Sequence, residues 1–299
     1  MESLPRACYP AQVLFFLAAC SRAPSDAEVA AATLTAAGAG EVRAYVDDGA
    51  GFAAPTTLPL RALTSLDAYA EGETVFVTGL SHAIAPTAMA ERFPQLFVIG
   101  LESTDLTTWA AHAWRVDAPG SSLIDPAFVQ GPTGRELWFV QVNSHGDPAL
   151  GSLPSTLVRT HWDGDRFSRA EALFTGPGLV DPSPVFSGDR WEVFLTHDHH
   201  EVVRLAEGGN TTERVREGLT VPHARREGTR VILTAQGTQQ GPATPVVLER
   251  EDGQGWSAPR AILPAGSPPC SSPSTVRRAG KTVLLCAGDR PGGERPGGR

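Results

Sequence analysis

One pattern recurs often enough along this chain to dictate its architecture. Residues 179–196 read LVDPSPVFSGDRWEVFLT: an Asp-Pro start, a short apolar run, a Ser-Gly-Asp turn, then the β-prone run from Trp191 to Leu195. Two strand-like runs joined by residues that tolerate a positive φ make a β-hairpin. The plan returns in LIDPAFVQGPTGRELWFVQV (123–142), VPHARREGTRVILTA (221–235), SSPSTVRRAGKTVLLCA (271–287) and SLDAYAEGETVFVTG (65–79). Five hairpins spaced by roughly 40–60 residues suit the blades of a propeller.

A second kind of unit lies between them, with a strand, an Asp/Gly turn and a second strand. It reads FVIGLESTDLTTWAAHAWRV (97–116), VRTHWDGDRFSRAEALF (158–174), VVRLAEGGNTTERV (202–215) and VVLEREDGQGWSAPRAIL (246–263). These are the expected outer hairpins. The fifth copy stands at the front, VRAYVDDGAGFAAPTTLPL (42–60), whereas only a Gly/Pro-rich tail follows the last inner hairpin. The sequence therefore predicts an all-β, five-bladed β-propeller over residues 41–288, in which the N-terminal hairpin completes the last blade. That closure leaves only short edges. The tail, 289–299, is expected to be disordered.

The first twenty residues have the plan of an export leader: Arg6, the apolar run AQVLFFLAA, and Leu17-Ala18-Ala19-Cys20, which resembles a lipoprotein cleavage site with Cys20 as the lipid attachment point. The apolar run falls well short of the roughly 20 residues a bilayer span needs. An Ala-rich tether over 21–40 would link the anchor to the propeller, outside the cytoplasm on the bacterial cell envelope. A net charge of −8 disfavours nucleic acid and leaves the lipid as the expected membrane attachment. Export also permits disulfides. Cys270 and Cys286 share the last inner hairpin, but its turn at Ala279-Gly280 sets Cys286 opposite about residue 273. They pair only if the Pro268-Pro269 approach folds back, and otherwise remain two thiols.

In an antiparallel inner hairpin the first strand begins on the face where the second ends. Asp125, Asp181 and His223 are therefore expected near the axis on one face, with His82, His145, Asp147, His197, Asp198, His199 and His200 around them. Paired carboxylates at a channel mouth suit general acid–base work. His145, Asp147, His197, His223 and Arg225 are the candidate ligand-binding residues, and the HDHH loop offers His197 and His199 as metal ligands. Asp-Pro also begins strands simply because both residues suit turns.

The pattern from Val42 to Ala287 resembles the five-bladed family 43 glycoside hydrolases, of the arabinanase and β-xylosidase type. The pieces that carry it are IDPAF and VDPSPVF at inner-strand starts, ESTDLTTW and GWSAPRAIL. The resemblance implies a base Asp in the first blade, a pKa-tuning Asp in the second, an acid Glu in the third, and a fourth-blade His near an axial metal ion such as calcium. Asp125 matches the second position and His223 the fourth. The third blade carries Asp181, one methylene shorter than Glu. The first-blade candidate, Asp67, lies five residues before its turn glycine whereas Asp181 lies seven before its own, so Ser65 holds the equivalent place. STDLTTW resembles the Asp-box of sialidases without its Gly, and a six-bladed export-system propeller is disfavoured by the blade count. Two functions follow: a non-catalytic propeller binding a glycan or an envelope protein at the axial face, or an active glycoside hydrolase using Asp67, Asp125 and Asp181.

Overall fold

The computed structural model describes residue 27 and residues 41–60, 63–81, 97–116, 122–142, 154–164, 166–206, 208–237 and 244–287. The leader with Cys20, the tether, the tail, His82, His145 and Asp147 lie outside the described residues. No helix among the described residues is long and apolar enough to cross a membrane.

Among the described residues, twenty strands form five antiparallel sheets of four. The chain begins with β1 (Val42–Asp47) and β2 (Thr56–Thr57). Blade I then comprises β3 (Leu63–Glu71), β4 (Thr74–Ser81), β5 (Phe97–Ser103) and β6 (Ala110–Arg115). Blade II comprises β7 (Ser122–Gly131), β8 (Gly134–Val142), β9 (Pro154–His161) and β10 (Glu171–Pro177). Blade III holds β11 (Leu179–Phe186), β12 (Trp191–His197), β13 (Glu201–Ala206) and β14 (Glu213–Glu217). Blade IV holds β15 (Leu219–Glu227), β16 (Arg230–Gly237), β17 (Thr244–Glu251) and β18 (Arg260–Ala261). Blade V joins both ends of the propeller, in the order β19 (Pro273–Arg278), β20 (Lys281–Ala287), β1, β2.

The inner strands β3, β7, β11, β15 and β19 pack in sequence, and β19 returns to β3, so the ring is closed. Closure rests on a six-pair ladder from Val42↔Ala287 to Asp47↔Thr282. The N-terminal hairpin thus occupies the edge of β20 that would otherwise offer unpaired backbone groups to another chain.

Apolar burial is divided among the blade interfaces. Leu60, Leu66, Val75, Ile99, Val283 and Leu285 lie in the cluster between blades V and I; Phe128, Leu137 and Phe139 in that between I and II. Trp138 and Trp191 meet at 5.1 Å between II and III, and Phe194, Leu219 and Leu233 pack between III and IV. Among the described residues the cluster between IV and V is the smallest, with five buried members: Tyr45, Leu263, Cys270, Leu284 and Cys286. Its two cysteines form a disulfide. Cys286 is registered against Pro273, and the approach folds back through Ser271, whose N–H donates to Ala287 O at 2.9 Å. That fold-back brings Cys270 within 4.9 Å of Cys286, Cα to Cα.

Candidate functional site at the propeller axis

Every inner strand of blades I to IV carries a bulge near its start, shown by register shifts between Thr64 and Asp67, Ile124 and Ala127, Val180 and Ser183, and Thr220 and His223. The first bulge residue in blades II, III and IV has a left-handed backbone: Asp125 at φ 53°, Asp181 at φ 51° and Val221 at φ 49°. Asp adopts this conformation several-fold more readily than most residues, whereas a β-branched Val there is an outlier. Asp-Pro in blades II and III is therefore explained in part by turn chemistry. The bulges also bring the two acids together, because the Asp181 N–H donates to Asp125 Oδ2 at 3.1 Å.

Register settles the place of Asp67. It faces Thr78 as Ala127 faces Trp138, Ser183 faces Phe194 and His223 faces Thr234. Asp67 is thus the counterpart of His223, one tier below Asp125 and Asp181. In blades I, III and IV these second-tier side chains latch the blade to the next. Asp67 accepts a backbone hydrogen bond from Phe128, Ser183 Oγ accepts from the Ala224 N–H at 2.7 Å, and His223 Nδ1 accepts from the Thr275 N–H at 3.2 Å. In blade II the equivalent Ala127 has no acceptor, and the corresponding residue of blade III, Pro184, has no N–H to offer.

These bonds fix the chemistry of His223. Because Nδ1 accepts a backbone N–H, the ring hydrogen sits on Nε2, which donates to Ala68 O at 2.6 Å and lies 3.4 Å from Asp67 Oδ1. Burial lowers the pKa of the ring to about 4, so it is neutral at physiological pH. Both nitrogens are occupied and no lone pair remains for a cation. The axial metal ion implied by the family resemblance does not fit at His223. Nor does the HDHH loop assemble a site: His197 Nδ1 is 2.8 Å from Glu201 Oε1, and Glu201 also pairs with Arg214. The His197 bond comes first among the causes holding the Glu201 carboxyl below its ordinary range. His199 stands in the turn at φ 58°, and no three His, Cys, Asp or Glu side chains converge as metal ligands among the described residues.

The acids differ in what they can do. Burial pushes the Asp181 carboxyl well above its ordinary range, the neighbouring Asp125 charge adds to the rise, and a hydrogen bond with the Thr196 side chain opposes it. Thr196 Oγ1 also accepts the Val221 N–H at 2.8 Å, so its hydroxyl hydrogen is directed to the Asp181 carboxyl. A carboxyl raised in this way beside a second carboxyl group is an arrangement able to protonate a leaving oxygen. Asp67 is also pushed up, to about 8, by burial, against bonds from the backbone at Ala68 and Phe128. A carboxyl that stays protonated at neutral pH is a poor base. Sequence reasoning missed Thr196 and Thr275; their one signal was a polar residue recurring inside the strands of the inner hairpins.

A cavity of about 190 Å³ extends from Asp67, His223 and Thr275 toward Arg225, Arg226 and Arg277, at the turn ends of the strands. His223 was expected on the face of Asp125 and Asp181, but its open space leads the other way. Arg225, a candidate ligand-binding residue, lies at this end. Burial, then the charges of Arg277 and Arg230, lower its pKa to about 10.

No family model matches the sequence, and neither does any curated protein. Similarity appears in the fold. An α-L-arabinofuranosidase from Lactobacillus brevis superposes with a TM-score of 0.57 at 10% identity, covering 79% of this chain and 86% of its own. An arabinanase from Bacillus subtilis gives 0.50 at 11% identity, covering 76% and 94%. An exo-β-1,3-galactanase from Clostridium thermocellum gives 0.50 at 13%, covering 68% of this chain, which spans about half (49%) of that enzyme's length. At such identities the likeness establishes one thing: this chain has the five-bladed β-propeller fold of its family 43 glycoside hydrolase neighbours.

Proposed function

We propose that this chain is an exported, lipid-anchored propeller that binds a glycan at the Asp-Pro face without hydrolysing it. The observation that carries the reading is Asp67. The first-blade acid is largely buried one tier below Asp125 and Asp181, bonded to backbone at Ala68 and Phe128, and held protonated near neutral pH. A base placed there could neither hold a water on the Asp181 side nor take its proton. The leader ending in Cys20 supports attachment at the cell envelope, where an envelope protein is the competing partner.

A specific observation favours the second reading, glycoside hydrolysis. Asp181 with Asp125 is an acid carboxyl beside a carboxylate that raises its pKa, the relation the family resemblance implies for blades III and II. The full chain should be tested for binding to arabinan, galactan and xylan and for release of aryl glycosides. The expected result is saturable binding to at least one polysaccharide, weakened by Asp125→Asn and Asp181→Asn, with no turnover. Turnover abolished by Asp181→Asn would establish the hydrolase instead. Absence of both binding and turnover would remove the glycan reading and leave the protein partner.

A further inference from the structure

The interface between blades IV and V departs from those between I and II and between II and III. The cleft between I and II is lined by Phe76, Trp114, Phe128 and Trp162 with one arginine, Arg135; that between II and III by Trp138 and Trp191, also with one, Arg159. Between IV and V, where the apolar cluster is smallest, a cavity of about 320 Å³ is lined by four arginines, Arg225, Arg230, Arg260 and Arg277. It shares Arg225, Glu227, Thr275 and Arg277 with the axial cavity, so the two form one groove running outward from the axis. Glu227 and Arg230 flank the turn of the β15–β16 hairpin. The groove therefore opens on the turn side, the end of the propeller away from Asp125 and Asp181.

Positive charge exceeds negative among the side chains that form this network. Glu227 is shared by Arg225, Arg230 and Arg277, while Glu249 is shared by Arg230 and Arg260. Asp47, at the edge, is engaged by the N–H groups of Gly49 and Gly51. The guanidinium groups are held in place from below: Arg225 Nε donates to Thr275 Oγ1 at 3.3 Å and Arg277 Nη1 to Thr282 Oγ1 at 2.9 Å. A guanidinium carries five N–H donors, and these bonds occupy few of them. Arg277 and Arg260 remain 49% and 72% exposed, so donors face the groove and solvent. In a chain of net charge −8, four arginines over Glu227, Glu249 and Asp47 leave this lining with a small excess of positive charge.

We propose that the groove between blades IV and V binds an acidic carbohydrate through a carboxylate or phosphate group, at a site separate from the Asp-Pro face. Planar guanidinium pairs match both anions by paired N–H···O bonds, and a sugar ring fits a cavity of this size beside Phe52 and Ile262. Although the ligand class follows the glycan reading above, the site does not depend on Asp125 or Asp181.

The test uses the full chain with three probes: tri-galacturonate, mannose 6-phosphate and neutral mannotriose. The expected result is binding of one or both anions, weakening as salt rises, and none of the neutral sugar. Which anion binds identifies the group recognised. Arg277→Gln should weaken binding by roughly tenfold, as loss of a charge-assisted pair predicts. Glu227→Gln, which removes the internal competitor, should tighten it, a response no merely structural role would give. Asp125→Asn should leave it unchanged, so failure of the axial reading and of this one remain distinguishable. Equal binding of mannotriose, indifference to Arg277→Gln, or no anion binding at low salt would overturn the proposal.

Discussion

Replacing Asp67 by Asn tests the central statement about the axial tier, that its carboxyl is neutral and structural. Burial raises its pKa from 3.8 to about 8. Below 3.8 both folded and unfolded chains carry the proton and the acid costs nothing. As pH climbs toward 8 the unfolded chain alone ionises, and stability is lost through that window. At pH 7 the gap of roughly 3 units corresponds to at most about 4 kcal/mol, at 1.36 kcal/mol per unit. The side chain keeps 15% exposure, which lowers that ceiling. Asn retains an oxygen for the Phe128 N–H but adds an amide that must find a partner, which costs on the order of 1–2 kcal/mol. Asp67→Asn should therefore be neutral or destabilising at pH 4 and gain about 1–3 kcal/mol relative to the parent by pH 8. His223, lowered to about 4, stays neutral through most of that window and contributes little to the difference. Urea unfolding of both proteins at half-unit pH intervals measures it. A difference that is flat with pH, or that falls as pH rises, would refute a buried neutral Asp67.

Three further perturbations follow from named contacts. Thr196→Val removes the acceptor of the Val221 N–H and a hydrogen bond to Asp181; it should cost about 1–3 kcal/mol in denaturant unfolding. Carboxyl NMR should also show the Asp181 titration moving upward. Cys270→Ser with Cys286→Ser opens a loop of 16 residues at the smallest interface and should cost about 3 kcal/mol, read as a fall in Tm that reduction of the parent reproduces. Gly100→Ala places a Cβ 1.9 Å from the Trp114 ring, so overpacking should cost at least about 1–3 kcal/mol and alter tryptophan fluorescence.

The sequence by itself determined the ring. Period-two alternation and turn chemistry are local properties, so each hairpin declared itself. The unpaired copy at Val42 and the missing one after Ala287 together specified closure, which the β1–β20 ladder bears out. Ser65, not Asp67, as the counterpart of Asp181 was legible from the distance to the turn glycine, because register in a two-strand ladder is also local. What only the tertiary structure decided were meetings between blades. His223 and Asp67 lie on opposite sides of the ring in sequence, and no spacing rule predicts that the imidazole spends one nitrogen on Thr275 and the other on Ala68. The pairing of Cys270 with Cys286 required the chain before β19 to fold back onto β20. Arg225 and Arg277, 52 residues apart, converge on Glu227 because the twist and stacking of blades IV and V place their turns side by side. Side chains that interact through the angle between separate sheets leave no period in the sequence, and the chemistry of this molecule is concentrated at such junctions.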